Sequence, residues 1–488
     1  KYFDTILYEG NGAGQRVGQF QPFGNAFTVA KSALFDDGDT ELTRTPAGDG
    51  NLDTWTFSTW IKRCNDGDYG PIFGAGDSSS NQHSIYYQGT GEIRFSLYAG
   101  ASWVGRLITT QKWLDASRWY NIVCVWDSGN GTEGDRMRMY VDGVRITSFG
   151  TEVYPSSGLD GFVNDASYLH WMGNDTDALA GAMDTYVAQS VLLDGTAVAN
   201  ADNFGQTDTS TNRWIPKEIT GLTMGTNGFF MDYAASGSDL GDDAAGSIDY
   251  ANNGGIQTTD SPTTNRVTWS PNRGSTGLTF SAGNRTVQVT NSNAQTVAGS
   301  FSLTSGKWYI ELDPSTEAYS ILGILNINGT GGETPFNFGS TSRGYYQACE
   351  LFGYYSHSGL LYTKGTGTAG VSQAYGASWD ASNMIGIALD LDNGNLFFSK
   401  DGTWQNSASA AEIAAGNGTN AAATGLTNEY ALVLFGAGST EVMTIRNEAD
   451  WSGTAPTGFV NMTQDNIASS DQFISAFSWI KNRDATDN

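Results

Sequence analysis

This sequence predicts an all-β, multidomain chain, and three observations carry that expectation. Gly is abundant at 62 residues and Pro sparse at 10, while Trp, Tyr and Phe number 14, 22 and 24 in a chain of 488. Short aromatic and β-branched strands joined by Gly, Asn, Asp and Ser turns give that profile. Long helices do not, because a helical Gly costs about 1 kcal/mol relative to Ala. The length passes the size at which a single core stops growing, so two or more domains are expected. Finally, each half of the chain carries its own series of strand and turn signals, which predicts two tandem β-sandwich domains with a loop-rich connector.

Residues 1–30 read as an N-terminal hairpin or linker, with strand-like runs on either side of Gly10-Asn11-Gly12. A first sandwich is expected over 31–200. In the run 55–62, Trp-Thr-Phe-Ser-Thr-Trp-Ile-Lys, period-2 alternation puts Trp55, Phe57 and Thr59 on one face and Thr56, Ser58 and Trp60 on the other. The run 119–126 is apolar on both faces. Residues 137–141 and 144–146 form a hairpin about Asp142-Gly143, which supplies the positive φ of a tight turn. Residues 201–262, rich in Asp, Gly and Thr, read as a connector pinned by Trp214, Ile215, Phe229 and Phe230. The second sandwich is expected over 263–462, with strands at 307–312, 319–327, 384–391 and 396–400. Asn393-Gly394 predicts a type I′ hairpin between the last two. Residues 463–488 read as the start of a further module or linker, where 478–481 echo 59–62.

These blocks carry a resemblance. Phe35-Asp36-Asp37-Gly38-Asp39, the runs 55–62 and 119–123, Met139 to Gly143, and Gly181 to Asp184 occur in the order of a laminin-G-like domain of the concanavalin-A-like superfamily, a jelly-roll sandwich. The runs Gly-Lys-Trp-Tyr-Ile-Glu (306–311), Ile-Leu-Gly-Ile (321–324) and 383–402 resemble a SPRY domain. The tandem resembles virion proteins of marine tailed bacteriophages, of tail-fibre or head-fibre type. That resemblance implies a non-enzymatic protein of the extracellular virion surface. It would bind host or environmental glycans, contact other virion proteins and form a homo-oligomer. A purely structural decoration or fibre-shaft role and a polysaccharide depolymerase are the alternatives.

Charge narrows the partners. With 51 acidic against 25 basic residues the formal net charge is −26, which opposes nucleic acid and anionic bilayers alike. No apolar run approaches the ~20 residues of a membrane helix. No signal peptide is evident and the chain starts at Lys1, so it reads as part of a longer one. Three cysteines, Cys64, Cys124 and Cys349, make neither a disulfide framework nor a zinc site, and are expected as isolated buried thiols.

No catalytic residues are assigned. Glu311, Asp313 and Glu317 approximate the one-strand carboxylate triad of some concanavalin-A-like glucanases, but the third acid lies too far along and Pro314 interrupts the strand. The three histidines, His83, His170 and His357, have no nucleophile context. For a metal, the resemblance implies rim carboxylates holding a structural Ca2+, here Asp36, Asp37, Asp39 and Asp184, although acidic turns also simply cap backbone amides. For glycan, an aromatic platform with polar neighbours is needed. Tyr345, Tyr346, Tyr354, Tyr355 and His357 offer one set; Tyr86, Tyr87 and Trp103 offer another.

Overall fold

Among the described residues, eighteen strands build the first half of the molecule, laid down in turn by the alternating runs of the sequence. They are β1 (Ser32–Asp36), β2 (Glu41–Arg44), β3 (Thr54–Arg63), β4 (Gly70–Gly76), β5 (Gln82–Tyr87), β6 (Ile93–Ala99), β7 (Ser102–Thr109), β8 (Tyr120–Asp127) and β9 (Met137–Val141). There follow β10 (Val144–Arg145), β11 (Phe149–Val153), β12 (Leu169–Met172), β13 (Asp184–Asp194), β14 (Gly205–Asp208), β15 (Arg213–Pro216), β16 (Phe229–Met231), β17 (Ala251–Asn253) and β18 (Ile256–Thr258). The computed structural model describes residues 27–475 apart from 37, 39, 65–68, 78–79, 176–182, 210–211, 276, 291–294, 317–318, 327–349, 365–370, 437–439, 464–465 and 467–472. The fold is all-β, and the chain divides into two units, Asn25–Arg266 and the remainder from Val267 onward. The expected hairpin around Gly10-Asn11-Gly12 lies outside the described residues.

In the first unit one sheet runs β10-β9-β8-β3-β13-β1-β18 with β16 beside β13, and the other runs β11-β7-β6-β5-β4-β12-β2-β17. The alternation expected at 55–62 is what seats β3 between β8 and β13. Trp55, Phe57 and Ile61 enter the inter-sheet core with Ile122, Cys124 and Trp126, meeting Phe73, Ile85, Phe95 and Leu107 of the opposite sheet. Phe57 and Phe73 stack at 4.2 Å. Each such side chain, once fully buried, contributes roughly 1.5–3 kcal/mol. The other face of this sheet is covered too. Trp60 packs with Trp119 and Tyr186, and Val123, Val125 and Tyr140 lie against Val198, Ala201 and Phe204. The 142–143 turn is a true type I′ turn, with φ of 49° at Asp142 and 77° at Gly143 and Val141 paired to Val144.

The stretch expected as a connector is instead woven into this sandwich. β16 pairs with β13, β17 with β2, and β18 with β1. Its pull is both apolar and ionic: Phe229 and Met231 reach the core, and the Asp260 carboxylate meets the Lys62 ammonium at 2.9 Å, both side chains 1% exposed. Trp119 Nε1 donates to the second Asp260 oxygen at 3.0 Å, and Lys62 also donates to Asn265 Oδ1 (2.7 Å) and the Arg266 carbonyl (3.1 Å). All three ammonium protons are therefore satisfied, as a buried charge requires.

The second unit is again a pair of eight-stranded sheets. Gln295–Leu303, Tyr430–Gly436 and Ser320–Asn326 are neighbours in one, and Lys307–Thr316, Ile385–Asp390 and Asn395–Lys400 in the other. Trp269, Trp308, Leu322, Tyr354 and Phe398 fill the core between them. The hairpin at 385–400 differs from the expected form. Asp390 pairs with Asn395, leaving a four-residue loop in which Gly394 has φ +71° and Asn393 does not reach positive φ. The Asp390 carboxylate explains it by accepting from the Asn393 backbone N–H (3.0 Å) and side-chain amide (2.8 Å), an Asx-type turn that outcompetes the two-residue one. Within the tail, Phe473–Ser475 pairs with Phe301 to Leu303 of this unit's own sheet. Cys64 and Cys124 are buried and not joined in a disulfide to each other, and Cys349 lies outside the described residues. Among the described residues no helix is long and apolar enough to cross a membrane.

Candidate functional site

The three strands β5, β6 and β7 alternate between core and outer face. On β6, Ile93, Phe95 and Leu97 point into the sandwich, so Arg94, Ser96 and Tyr98 point away from it. Register places Tyr86 beside Arg94, Ser84 beside Ser96, and Ser96 beside Arg106, while a bulge brings Trp103 opposite Tyr98. The result is a patch of aromatic rings and guanidinium groups around two small serines, whose hydroxyls lie 3.4 Å apart.

Trp103 is 37% exposed, and its indole lies 4.7 Å from the Tyr98 ring. The Arg106 guanidinium sits 4.3 Å from the indole centroid, and that of Arg94 lies between Trp103 (5.4 Å) and Tyr86 (4.2 Å), within cation–π range. Burial, then the proximity of Arg106, lowers the Arg94 pKa, while the nearby Tyr86, Asp175 and Tyr69 oppose that shift. Beneath Arg94, Tyr86 is held in place: its hydroxyl donates to the Asp175 carboxylate, and the Gln82 amide donates to both (2.8 and 3.0 Å). Burial foremost, with Asp175 next, raises the Tyr86 phenol well above its usual range, so it stays a neutral donor.

The sequence-predicted glycan residues separate by burial. Tyr86 and Tyr87 are neighbours on one strand and so face opposite ways. Tyr87 is a core residue with Arg63 4.5 Å over its ring, and Tyr86 is covered. Tyr354 is also interior, packed on Tyr375, Trp379 and Phe398, which corrects its reading as a platform. Tyr355 packs into a small cluster with Ile321, Phe435 and Tyr362. His357 is exposed and lies 5.3 Å from Tyr319. Tyr345 and Tyr346 lie outside the described residues. Of the named set, Trp103 gains the most complete surroundings. Arg94, Arg106 and Tyr98 were missed, although the alternation Ile-Arg-Phe-Ser-Leu-Tyr-Ala at 93–99 already sets two of them on one face.

For calcium, Asp36 and Asp184 are register partners on β1 and β13, and Asp37 and Asp39 lie outside the described residues. Among the described residues no group of three or more His, Cys, Asp or Glu is placed to hold a metal ion. Glu311, the first acid of the carboxylate pattern, is fully buried and accepts from the Tyr309 hydroxyl (2.6 Å), the Ser452 N–H (2.6 Å) and hydroxyl (3.1 Å), and the Gly453 N–H (2.8 Å). Asp313 is ion-paired with Arg446, and Glu317 lies outside the described residues.

Residues 36–199 match the family described as the concanavalin A-like lectin/glucanases superfamily, of laminin G type. Among solved structures, a SAP-like pentraxin from Limulus polyphemus is 16% identical, with a TM-score of 0.28 over 36% of this chain and 80% of that one. The SPRY domain of human HERC1 is 15% identical, with a TM-score of 0.25 over 37% and 98%. A candidate carbohydrate-binding protein from Bacteroides ovatus is 15% identical, with a TM-score of 0.34 over 48% and 60%. No curated protein matches in sequence.

Proposed function

We propose that the first unit is a non-catalytic glycan-binding module, with Trp103 and Tyr98 as the surface on which a pyranose ring stacks. The observation that carries this reading is the exposed Trp103 indole against Tyr98 on an outer sheet face, edged by polar donors. Aromatic faces receive the apolar side of a sugar while neighbouring N–H and O–H groups bond its hydroxyls. The match of residues 36–199 to a lectin and glucanase superfamily supports it. Glu311 supports the non-catalytic reading, because a buried carboxylate already accepting four hydrogen bonds is poorly placed to act on a substrate.

The setting we infer is the surface of a tailed-phage particle, supported by the order of the two sets of motifs. Many copies there would turn weak single sites into useful avidity. A glycan array probed with the full chain and with Trp103→Ala tests the module. Binding to at least one glycan class, reduced about tenfold or more by the substitution, is expected. A full chain that binds no glycan overturns the proposal, and release of reducing ends from any bound polysaccharide overturns its non-catalytic part.

A further inference from the structure

Arg94 and Arg106 are diagonal neighbours on the outer face of β6 and β7, Arg94 paired with Ile108 and Arg106 with Ser96, and burial first, then Arg106, lowers the Arg94 pKa. Arg94 is 9% exposed and the Nε of each guanidinium is buried without a hydrogen-bond partner. Among the described residues neither guanidinium makes an ion pair or a hydrogen bond; their contacts are the ring faces of Tyr86 and Trp103. Arg63 is likewise set over a ring, that of Tyr87, but donates to the Trp113 carbonyl, and four further arginines of this unit meet acids. Arg118, Arg136, Arg138 and Arg145 each meet a carboxylate, at 2.5–3.9 Å.

Asp175 lies close enough to favour the charged form of Arg94, yet among the described residues neither guanidinium holds a carboxylate in an ion pair, in a chain with twice as many acids as bases. Like charges repel, and a largely buried cation without a direct ion-pair partner is costly. Ring faces offset part of that cost, but they leave the in-plane N–H donors unused. Those donors form a planar fork that matches a carboxylate or a sulfate in two-point contact. The fork lies beside the same indole on which the sugar ring would stack, so ring and anion can belong to one residue of a polysaccharide.

We propose that the site selects acidic glycans, the anionic substituent being held by Arg94 and Arg106 while Trp103 and Tyr98 carry the ring. This rests on the glycan-binding reading above and names its substrate class. Neutral glycans lacking the anion leave both guanidinium groups without an acceptor and bind weakly.

The experiment pairs polymers that differ only in charge. Polygalacturonate is compared with its methyl ester, and heparin with its fully desulfated, N-acetylated and carboxyl-reduced form, using the full chain and immobilised polysaccharide. The acidic member of at least one pair is expected to bind about tenfold to a hundredfold more tightly, the range set by a charge-assisted hydrogen bond. Which pair responds tells carboxylate from sulfate. Arg106→Gln is expected to lower acidic binding about tenfold, and to change neutral binding less than about twofold. Arg94→Gln serves as a second variant, each with its thermal melt as a folding control. Arg106→Lys, which keeps the charge and loses the fork, is expected to recover only part of the affinity.

Equal binding of charged and uncharged members overturns the acidic selectivity and leaves the glycan-binding reading standing. No binding to any polymer here or on the array overturns both. Acidic binding that is unchanged in two arginine variants with native melts overturns the location.

Discussion

Lys62→Met is the most informative single change to stability that the structure offers. Met keeps most of the volume and the apolar stem while removing the ammonium. Asp260 is then left 1% exposed, with Trp119 Nε1 the remaining one of the two donors described for its carboxylate. Asn265 Oδ1 and the Arg266 carbonyl each lose a donor. Breaking one side of a buried pair costs about 3–5 kcal/mol, most of it the stranded charge. For a unit of this size a loss of 1 kcal/mol lowers Tm by about 2–4 °C, so a drop of about 6–20 °C is expected. Scanning calorimetry of the full chain follows the transition of the first unit, while the second provides an internal reference. The double variant Lys62→Met/Asp260→Leu is expected to recover most of the loss, because an ion pair exchanged for apolar residues of similar volume is often neutral. A single variant that melts within about 2 °C of wild type, or a double variant that is simply additive, refutes the claim that the pair clamps residues 258–266 to the sheet.

The remaining predictions concern buried acids and imidazoles. Burial, first of all, lowers the pKa of His83 to about 3 and of His170 to about 4, against 6.5 in an unfolded chain. The unfolded state therefore takes up protons that the folded state refuses. Stability is unaffected by these groups above pH 6.5 and declines as pH falls from 6.5 toward about 4, by roughly 1.4 kcal/mol per pH unit for each histidine. Denaturant midpoints of the first unit over that range check the slope, and a flat profile rejects it. His83 has no hydrogen-bond partner on either ring nitrogen and is surrounded by Trp55, Phe95 and Trp126. His83→Leu is expected to stabilise by about 1 kcal/mol or more at pH 7 and to remove its share of the acid slope; destabilisation at neutral pH counts against an unsatisfied imidazole. Glu311→Gln is expected to destabilise the second unit by about 1–3 kcal/mol, since an amide presents donors to the Ser452 and Gly453 N–H groups. Glycan binding, measured on the array, is expected to be unchanged.

How legible the molecule was in its sequence follows the range of each interaction. Trp55, Phe57 and Ile61 against Trp60 could be sorted from alternation alone, because the period of a strand is a local property. Asp142-Gly143 could be read as a type I′ turn for the same reason. Asn393-Gly394 could not, because the side chain of Asp390, three residues before Asn393, decides the loop. β16, β17 and β18 are three residues each, too short for a period to show, and what holds them is distant: Lys62 and Asp260 are 198 positions apart. At the candidate site, exposure decided the outcome. Trp103, Tyr86 and Tyr87 look alike as aromatic residues in polar company, and only the packing separates the open indole from the covered phenols. Arg94 and Arg106 belong to two strands joined by a bulge, so their adjacency needed the register as well as the alternation.

The pairing of β18 with β1 also has a bearing on how the first unit comes to be folded. Ser32 pairs with Thr258, so the second edge of β1, whose first edge is paired with β13, is covered by a strand made at the end of this unit. Closing a loop of that length is entropically slow, and contacts of such separation are among the last to form. During synthesis the sheet edge at Ser32–Asp36 and the polar underside of Lys62 therefore stay uncovered until the ribosome has passed Arg266. A nascent chain in that state exposes an unpaired strand edge, the feature that invites pairing with a neighbouring copy. Burial of Lys62 and closure of the β1 edge therefore both depend on the last strand segment of the first unit.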